Sequence, residues 1–337
     1  MSAISSQGQD AKPLRVLVIT RKPHSPSFEQ RIKNHIEPLR GYGVEVDVLV
    51  YPQSIWAQFK IIAAAKRYQV VWWHRHLLPR LQLWWLRHCA RRLVYDFDDP
   101  LCFSTRADGY SFIRQRRFAA LLKACDAAMV GSHYLQDLAL EYCDEVYLIP
   151  MAISLPPTPQ ERTCTGGVEL LWLGSESTQK YLESIRPALE RIGEMRPDIR
   201  LRLVAHRPME FGKLPVEFVQ WSPEAQEQAL LQANIGLCPM PDTPWTKGKC
   251  PYKVLQYMAY GMPWVGSAVG ENLASAGIAG SSSQRGICAS DVDEWVQAVI
   301  AMVDDSQRWQ LGENCREYVA MQHERNSVAR QISAALR

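Results

Sequence analysis

The chain has 337 residues, 47% of them apolar and 22% charged, with a formal net charge of +3 at pH 7. That length exceeds one comfortable hydrophobic core and divides into about two domains of 150–180 residues, while the composition excludes a disordered chain. Nine scattered cysteines exclude a disulfide framework, and none are spaced as CxxC, which argues against structural zinc.

The N-terminal stretch MSAISSQGQDAKP is polar and lacks the apolar core of a signal peptide. No apolar run reaches the length of a bilayer. The expectation is a cytoplasmic protein whose membrane contact, where it has one, is peripheral and at the inner face.

LRVLVIT, from Leu14 to Thr20, reads as a buried parallel strand, SFEQRIKNHIEPLRGYG as a helix closed by glycine, and VEVDVLV as the next strand. Further strands are expected at Gln69–Trp73, Leu93–Phe97, Ala127–Val130 and Val146–Ile149, with helices at Pro79–Cys89, Ile113–Ala124 and Ser132–Glu141. Alternation of this kind predicts a parallel sheet covered on both faces by helices.

Within this half, Lys60–Arg92 carries many basic side chains, four tryptophans and no acidic residue. Nucleic acid, an anionic bilayer surface or an anionic lipid would each suit it, as would two buried element faces edged with solvated arginines.

From Pro150 to Gly167 the text is rich in proline and glycine, without apolar periodicity, and suits a linker. The predicted boundaries are a first domain over 1–155, a linker over 156–167 and a second domain over 168–337. The second half restarts with the strand VELLWLG, one helix QKYLESIRPALERIGEM, the strands IRLRLVA and VEFVQW, the helix SPEAQEQALLQA and the strand IGLCPM. A helix from Tyr252 to Tyr260, the strand WVGSA, a short strand at Gly286–Cys288 and the helix SDVDEWVQAVIAMV follow, with Ser290 or Asp291 as its N-cap. The fold class is therefore α/β, with two doubly wound parallel-sheet domains facing across a cleft.

In an open parallel sheet, ligands meet the carboxyl ends of the strands, where helix N-termini present free amides. KGKCPYKVLQ follows the strand IGLCPM, so backbone amides near Gly248–Tyr252 and the charges of Lys247, Lys249 and Lys253 would meet a phosphate or diphosphate. Gln256 follows Lys253 by one helical turn and can offer its amide to a hydroxyl, while Tyr252 or Tyr257 could stack on a base or pack the helix. Gly270 and Asn272 stand at the end of the next strand. After VELLWLG come Ser175, Ser177, Thr178 and Lys180, either capping the following helix or bracketing the same diphosphate.

The first half has its densest polar cluster in VYDFDDP. Asp96, Asp98 and Asp99 could chelate a divalent cation, or one could orient a hydroxyl while the others cap or pair. His74 and His76 end the preceding strand, and Arg21, Lys22, His24 and Ser25 follow the first one.

KGKCPYKVLQYMAYGMPWVGSAVGEN, LVYDFDDP, AAMVGSHYLQDLA and LLWLGSESTQKYL together resemble the retaining glycosyltransferases with two Rossmann-like domains, of the group-1 or family 4 type with the GT-B fold. The resemblance covers most of the chain. It implies transfer of a sugar from a nucleoside diphosphate sugar to an acceptor hydroxyl with retention, in the making of surface polysaccharide, lipopolysaccharide or glycolipid.

It further implies a donor site of Gly174, Ser175, Lys180, Gly248, Lys249, Tyr252, Lys253 and Gln256, catalytic roles for Asp98, Asp99 and Lys249, and no obligatory cofactor or metal. The partners implied are the nucleotide-sugar donor and a glycan or lipid-linked acceptor, and no nucleic acid. The family's pair of glutamates falls on Gly248 and Gln256, its arginine after the first donor-domain strand on Ser175, its lysine on Lys180, and its first-domain histidine on Asp98. The glycine pair that follows its first strand is missing from TRKPHSP. A hydrolase or epimerase on the same scaffold, and a non-catalytic nucleotide-sugar-binding or scaffold protein, are the alternatives these departures leave open.

Overall fold

The computed structural model describes residues 12–104, 109–157, 167–304 and 308–337. They fall into two units, one within Met1–Gly131, Leu135–Ile149 and Arg325–Arg337, the other within Ser132–Tyr134 and Pro150–Glu324.

The first unit is built on β1 (Leu14–Thr20), β2 (Val44–Val50), β3 (Val70–His74), β4 (Arg92–Phe97), β5 (Ala127–Val130) and β6 (Val146–Leu148). Every pairing is parallel, in the order β2-β1-β3-β4-β5-β6. The intervening helices are α1 (Pro26–Arg31), α2 (Ile36–Arg40), α3 (Ile55–Ala64), α4 (Arg80–Cys89), α5 (Phe112–Ala124) and α6 (His133–Leu140). Because β3, β4 and β5 are laid down successively in one direction, right-handed crossovers put α3, α4 and α5 on one face of the sheet. β3 and the last five residues of β4 are wholly buried, as strands covered on both faces must be. Trp72 and Trp73 are therefore core. α3 was not read from the sequence, where its broad apolar content hides the helical period.

The second unit contains β7 (Val168–Leu173), α7 (Glu176–Glu183), α8 (Arg186–Met195), β8 (Ile199–Ala205), β9 (Val216–Gln220), α9 (Pro223–Gln232) and β10 (Ile235–Cys238). It continues through α10 (Pro244–Lys247), α11 (Tyr252–Ala259), β11 (Trp264–Ser267), α12 (Glu271–Ala276), β12 (Gly286–Ala289), α13 (Val292–Asp304) and α14 (Arg308–Gln322). This sheet is also parallel throughout, in the order β12-β11-β10-β7-β8-β9. The order reverses direction between β7 and β10, so a crevice opens at their carboxyl ends.

The single helix expected over 179–195 is two. Pro187 sits in the first turn of α8, where a proline is tolerated, whereas inside a continuous helix its ring would meet the preceding turn. Asp291 caps α13 by accepting from the Glu294 amide at 2.9 Å, and the Glu294 carboxylate returns to the Ser290 amide at 2.7 Å.

The second domain also ends earlier than expected. The last helix, α15 (Arg325–Leu336), belongs to the first unit: Arg92 reaches the Ala335 carbonyl at 3.3 Å, Arg337 the Tyr42 carbonyl at 2.7 Å, and the Tyr42 hydroxyl donates to the Asn326 carbonyl at 3.1 Å. The segment preceding the predicted linker goes with the second unit, where the Ile153 amide donates to the His323 carbonyl at 3.0 Å. Most of that linker, 158–166, lies outside the described residues.

A buried ion pair ties the first unit together. Arg31 at the end of α1 donates through Nε to Asp96 at 3.0 Å and through Nη1 to the Ile149 carbonyl at 2.5 Å, with both charged side chains almost completely buried. Arg31→Met strands the Asp96 charge and should lower stability by about 3–5 kcal/mol, whereas adding Asp96→Leu should recover most of the loss. Urea denaturation of the three proteins measures both effects.

Candidate functional site

The crevice between β7 and β10 is bordered by two helix N-termini. β7 runs through Gly174 into α7, where a Cβ on Gly174 would lie 2.8 Å from both Thr178 Oγ1 and the Trp172 ring, so only glycine fits without displacement. Ser175 holds the N-cap position without giving α7 a side-chain cap bond. Its hydroxyl instead meets Ser177 Oγ at 3.0 Å, and Thr178 Oγ1 donates to the Ser175 carbonyl at 3.0 Å. The Ser175 and Ser177 hydroxyls are thus exposed at a helix start without a side-chain cap, with the half-buried Thr178 hydroxyl behind them. Lys180 stands in the last turn of α7 with its ammonium 5.6 Å from the Tyr181 ring centre.

After β10 the chain makes a turn that the sequence reading treated as open loop. Thr243 accepts from the Thr246 amide at 3.1 Å while Thr246 Oγ1 accepts from the Thr243 amide at 3.0 Å, a reciprocal cap that winds α10. Lys247 pairs with Asp242 at 3.1 Å, which removes it from the set of available cations. Gly270 has φ +55°, and a Cβ there would lie 2.5 Å from the Lys247 carbonyl, so glycine lets the end of β11 close against α10. Asn272 is fully buried and donates to the Ser267 carbonyl at 3.0 Å; it holds this turn instead of reaching a ligand.

Gly248, Lys249 and Lys253 follow in order. Gly248 is the buried C-cap of α10, and α11 begins at Tyr252 without a side-chain cap. Tyr252 packs on the core beside Tyr257, whose buried hydroxyl donates toward the Leu171 and Leu237 carbonyls at 3.2 and 3.1 Å. Tyr257 therefore stitches β7 to β10. Gln256 lies half-buried one turn beyond Lys253, and its amide has no hydrogen-bond partner among the described residues.

Lys253 is the unusual group. Its ammonium rests over the ring of Trp172, 4.1 Å from the centroid, in the first turn of α11, where the helix dipole opposes a positive charge. Burial first, and the neighbouring Lys249 charge with it, bring its pKa down to about 8. Among the described residues neither Lys249 nor Lys253 has a carboxylate partner. Trp172 escaped the sequence reading because it lies inside the continuous apolar run VELLWL; nothing local marks its ring as a cation platform.

In the first unit the sheet order reverses between β1 and β3. His74 at the end of β3 is buried between Thr20 Oγ1 at 3.0 Å and Ser27 Oγ at 3.2 Å. Burial, against the pull of Asp96 and Asp98, brings its pKa down to about 4, as burial and the charges of Arg21 and Arg117 do for His76. Both imidazoles are neutral at pH 7.

Arg75 follows with φ +63°, unique in that respect among the described non-glycine residues, and so stores backbone strain. Its guanidinium spans two carboxylates, donating to Asp98 at 2.7 Å and to Asp99. Burial raises the Asp98 pKa, but Arg75, Arg31 and the Ser27 hydroxyl outweigh it and hold the carboxyl below its usual value. The three aspartates expected to act as one polar cluster are thus divided, Asp96 to Arg31 and Asp98 with Asp99 to Arg75. Among the described residues no three acids, histidines or cysteines group to hold a metal ion.

Comparison with known proteins agrees with this geometry. Residues 167–305 match the family Glycosyl transferases group 1, and no curated protein sequence matches significantly. Among solved structures, sucrose-phosphate synthase from Thermosynechococcus elongatus superposes with a TM-score of 0.71 at 16% identity, over 95% of this chain and 98% of that one. HepE of Anabaena in complex with UDP-glucose gives 0.70 at 12%, over 96% and 99%. A glycosyltransferase from Rickettsia africae gives 0.65 at 9%, over 96% and 97%. The chain has the two-domain GT-B fold that these proteins share.

The lowered Lys253 pKa sets a pH dependence. Below about pH 8 the ammonium is present to attract an anion, and above it the neutral amine is not. A bound diphosphate favours the charged form and raises the pKa. Affinity for a nucleoside diphosphate should therefore fall as pH rises through 8, with proton uptake on binding above that pH. Calorimetry in two buffers of different ionisation enthalpy measures the uptake, and Lys253→Arg, which stays charged, should abolish it.

Proposed function

We propose that the protein is a retaining glycosyltransferase that takes a sugar from a nucleoside diphosphate sugar to an acceptor hydroxyl, in the synthesis of a surface polysaccharide, lipopolysaccharide or glycolipid. The observation that carries the reading is the pair Lys249 and Lys253, two cations without carboxylate partners among the described residues, set at the uncapped start of α11 beside the switch crevice. Such a place suits a diphosphate, and HepE of Anabaena, of like fold, was solved with UDP-glucose bound.

In this reading Lys249, Lys253 and the amides of α7 and α11 stabilise the departing diphosphate, which is where charge develops in the transition state. Ser175, Ser177 and Lys180 approach it from α7. Gln256 offers its unpartnered amide to the donor ribose. The leaving diphosphate oxygen takes the acceptor proton, so no separate strong base is required. Asp98 and Asp99 act with Arg75, whose clamp fixes both carboxylates for an acceptor hydroxyl.

Gly248 and Gln256 stand where the resembling family has glutamates, and that favours a second reading, a nucleotide-sugar-binding protein without turnover. Binding and turnover separate the two. Micromolar affinity for one nucleoside diphosphate, weakened at least about tenfold by Lys249→Ala or about 1.4 kcal/mol, is expected under both. Acceptor-dependent release of nucleoside diphosphate from the matching sugar donor is expected only of the transferase. Binding without release across a broad acceptor panel selects the second reading, and no binding at millimolar concentration removes both.

A further inference from the structure

The basic, tryptophan-rich stretch of the first unit is only half absorbed by the core. Trp72 and Trp73 are buried in β3, but Trp84 on α4 is exposed, as are Trp56 and Ile55 on α3, Leu81 on α4, and Phe112 and Ile113 on α5. These six side chains are between 54% and 82% exposed, and large apolar groups exposed on neighbouring elements mark a surface of interaction.

Their positions follow from topology. Each helix after a parallel strand runs back antiparallel to it, so the first turns of α3, α4 and α5 all lie at the carboxyl-end rim of the sheet. Ile55 and Trp56 begin α3, Leu81 and Trp84 lie in the first half of α4, and Phe112 and Ile113 begin α5. α4 packs against both of its neighbours. Inward, α4 buries Leu83, Leu86 and Cys89 against the unit; outward, it carries a second apolar stripe at Leu81 and Trp84, continued by His88, whose ring lies 4.1 Å from that of Trp84. A helix that is apolar on the side away from its own core is built to meet something else.

Charge identifies the occupant. From Val48 to Tyr95 the chain has eight Lys or Arg and no Asp or Glu, and α5 adds Arg114, Arg116, Arg117 and Lys123, again with no acid; Arg75, Arg87 and Arg92 are matched by Asp98, Asp99, Asp126 and Glu145 from outside that stretch, and the remaining cations set the charge of the surface. Lys60, Arg80, Arg116 and Arg117 are exposed on the same three helices. No helix among the described residues is long and apolar enough to cross a membrane.

We propose that the first turns of α3, α4 and α5 form a docking surface for an anionic phospholipid bilayer, with Trp56, Trp84 and Phe112 entering the headgroup layer and the arginines and lysines meeting lipid phosphates. Aromatic side chains with flanking cations suit the membrane–water interface, and each basic residue at an anionic surface adds to the attraction. The surface stands beside the Arg75 clamp at the same rim of the sheet, which would bring a lipid-anchored hydroxyl toward Asp98 and Asp99.

The test uses the full chain without nucleotide, so its outcome is independent of the transferase reading. Flotation with vesicles of phosphatidylglycerol and phosphatidylcholine at 3:7, a ratio set at about one-third anionic lipid as a cytoplasmic-leaflet mimic, is compared with pure phosphatidylcholine. Binding to the anionic vesicles only is expected. Arg116→Ala with Arg117→Ala should weaken it about 30-fold, and Trp56→Ser with Trp84→Ser about tenfold or more, with circular dichroism and the midpoint of urea denaturation unchanged in both variants. Absence of flotation with anionic vesicles overturns the proposal. So does binding that the tryptophan variant retains in full, which would be adsorption of charge alone, or a concentration-dependent dimer of the native chain that the tryptophan variant loses, which would assign the face to a second copy.

Discussion

Every strand pairing in both sheets is parallel, and every crossover within a sheet except that from β8 to β9 lays a helix back across it. The central strands are left dry on both faces, and polar chemistry has one place to stand there, the loops at their carboxyl ends. The consequences run through both units. β3 and β10 are apolar up to their carboxyl ends, where His74 closes β3; β4 opens on Arg92 and carries Asp96 next to its last residue; and the turns after Leu173 and Cys238 follow where the apolar text stops. Glu169 is a buried exception inside β7, and it is neutralised by Arg200 at 2.7 Å and Arg202 at 3.2 Å.

Within that constraint Lys253 is held at a cost. Its ammonium has lost much of its water, faces the positive end of α11 and has a second lysine as neighbour; the Trp172 face returns about 0.5–2 kcal/mol of this. A lysine on a helix surface is normally free to swing into solvent. This one is held over Trp172, and the Trp172 ring is itself pressed against Gly174, whose missing side chain leaves the room. Pre-positioning of this kind places the unfavourable terms in the empty protein, so that an arriving anion relieves them.

The fold was largely legible because buried parallel strands are written as mainly apolar runs with at most one charged or imidazole side chain, as in VVWWH, LVYDF and VELLWL. Besides α3 and α10, two features of the fold show what a sequence leaves open. The division of α7 from α8 turns on Pro187, which reads equally as a kink in one helix or the first turn of another. The last helix carries an apolar face that says it must be buried, but not which unit will bury it. Of the candidate site, the order Lys249, Lys253, Gln256 could be read because those residues share one loop and one helix. The pairing of Lys253 with Trp172 could not, nor the Arg75 clamp on Asp98 and Asp99, since each joins residues from separate elements or loops whose adjacency exists only after the sheet has formed.

The two units treat charge in opposite ways, and that difference bears on how they would divide the work. In the first, Arg31 and Arg75 are each matched by buried or half-buried aspartates, and His74 and His76 are kept neutral. These paired side chains have hydrogen bonds to offer and no unmatched charge of their own, which suits an uncharged hydroxyl, whatever the basic helices around them meet. In the second, Lys249 and Lys253 are left unmatched and two helix starts are left uncapped. Adding a carboxylate there would stabilise the empty protein and weaken its hold on an anion. The glycine at 248 and the amide at 256, in positions where a resembling enzyme carries acids, leave the positive field of the crevice undiminished. Under the proposed function, the absence of acids at these positions and the presence of the lysines act together, and recognition of the donor would rest mainly on its diphosphate.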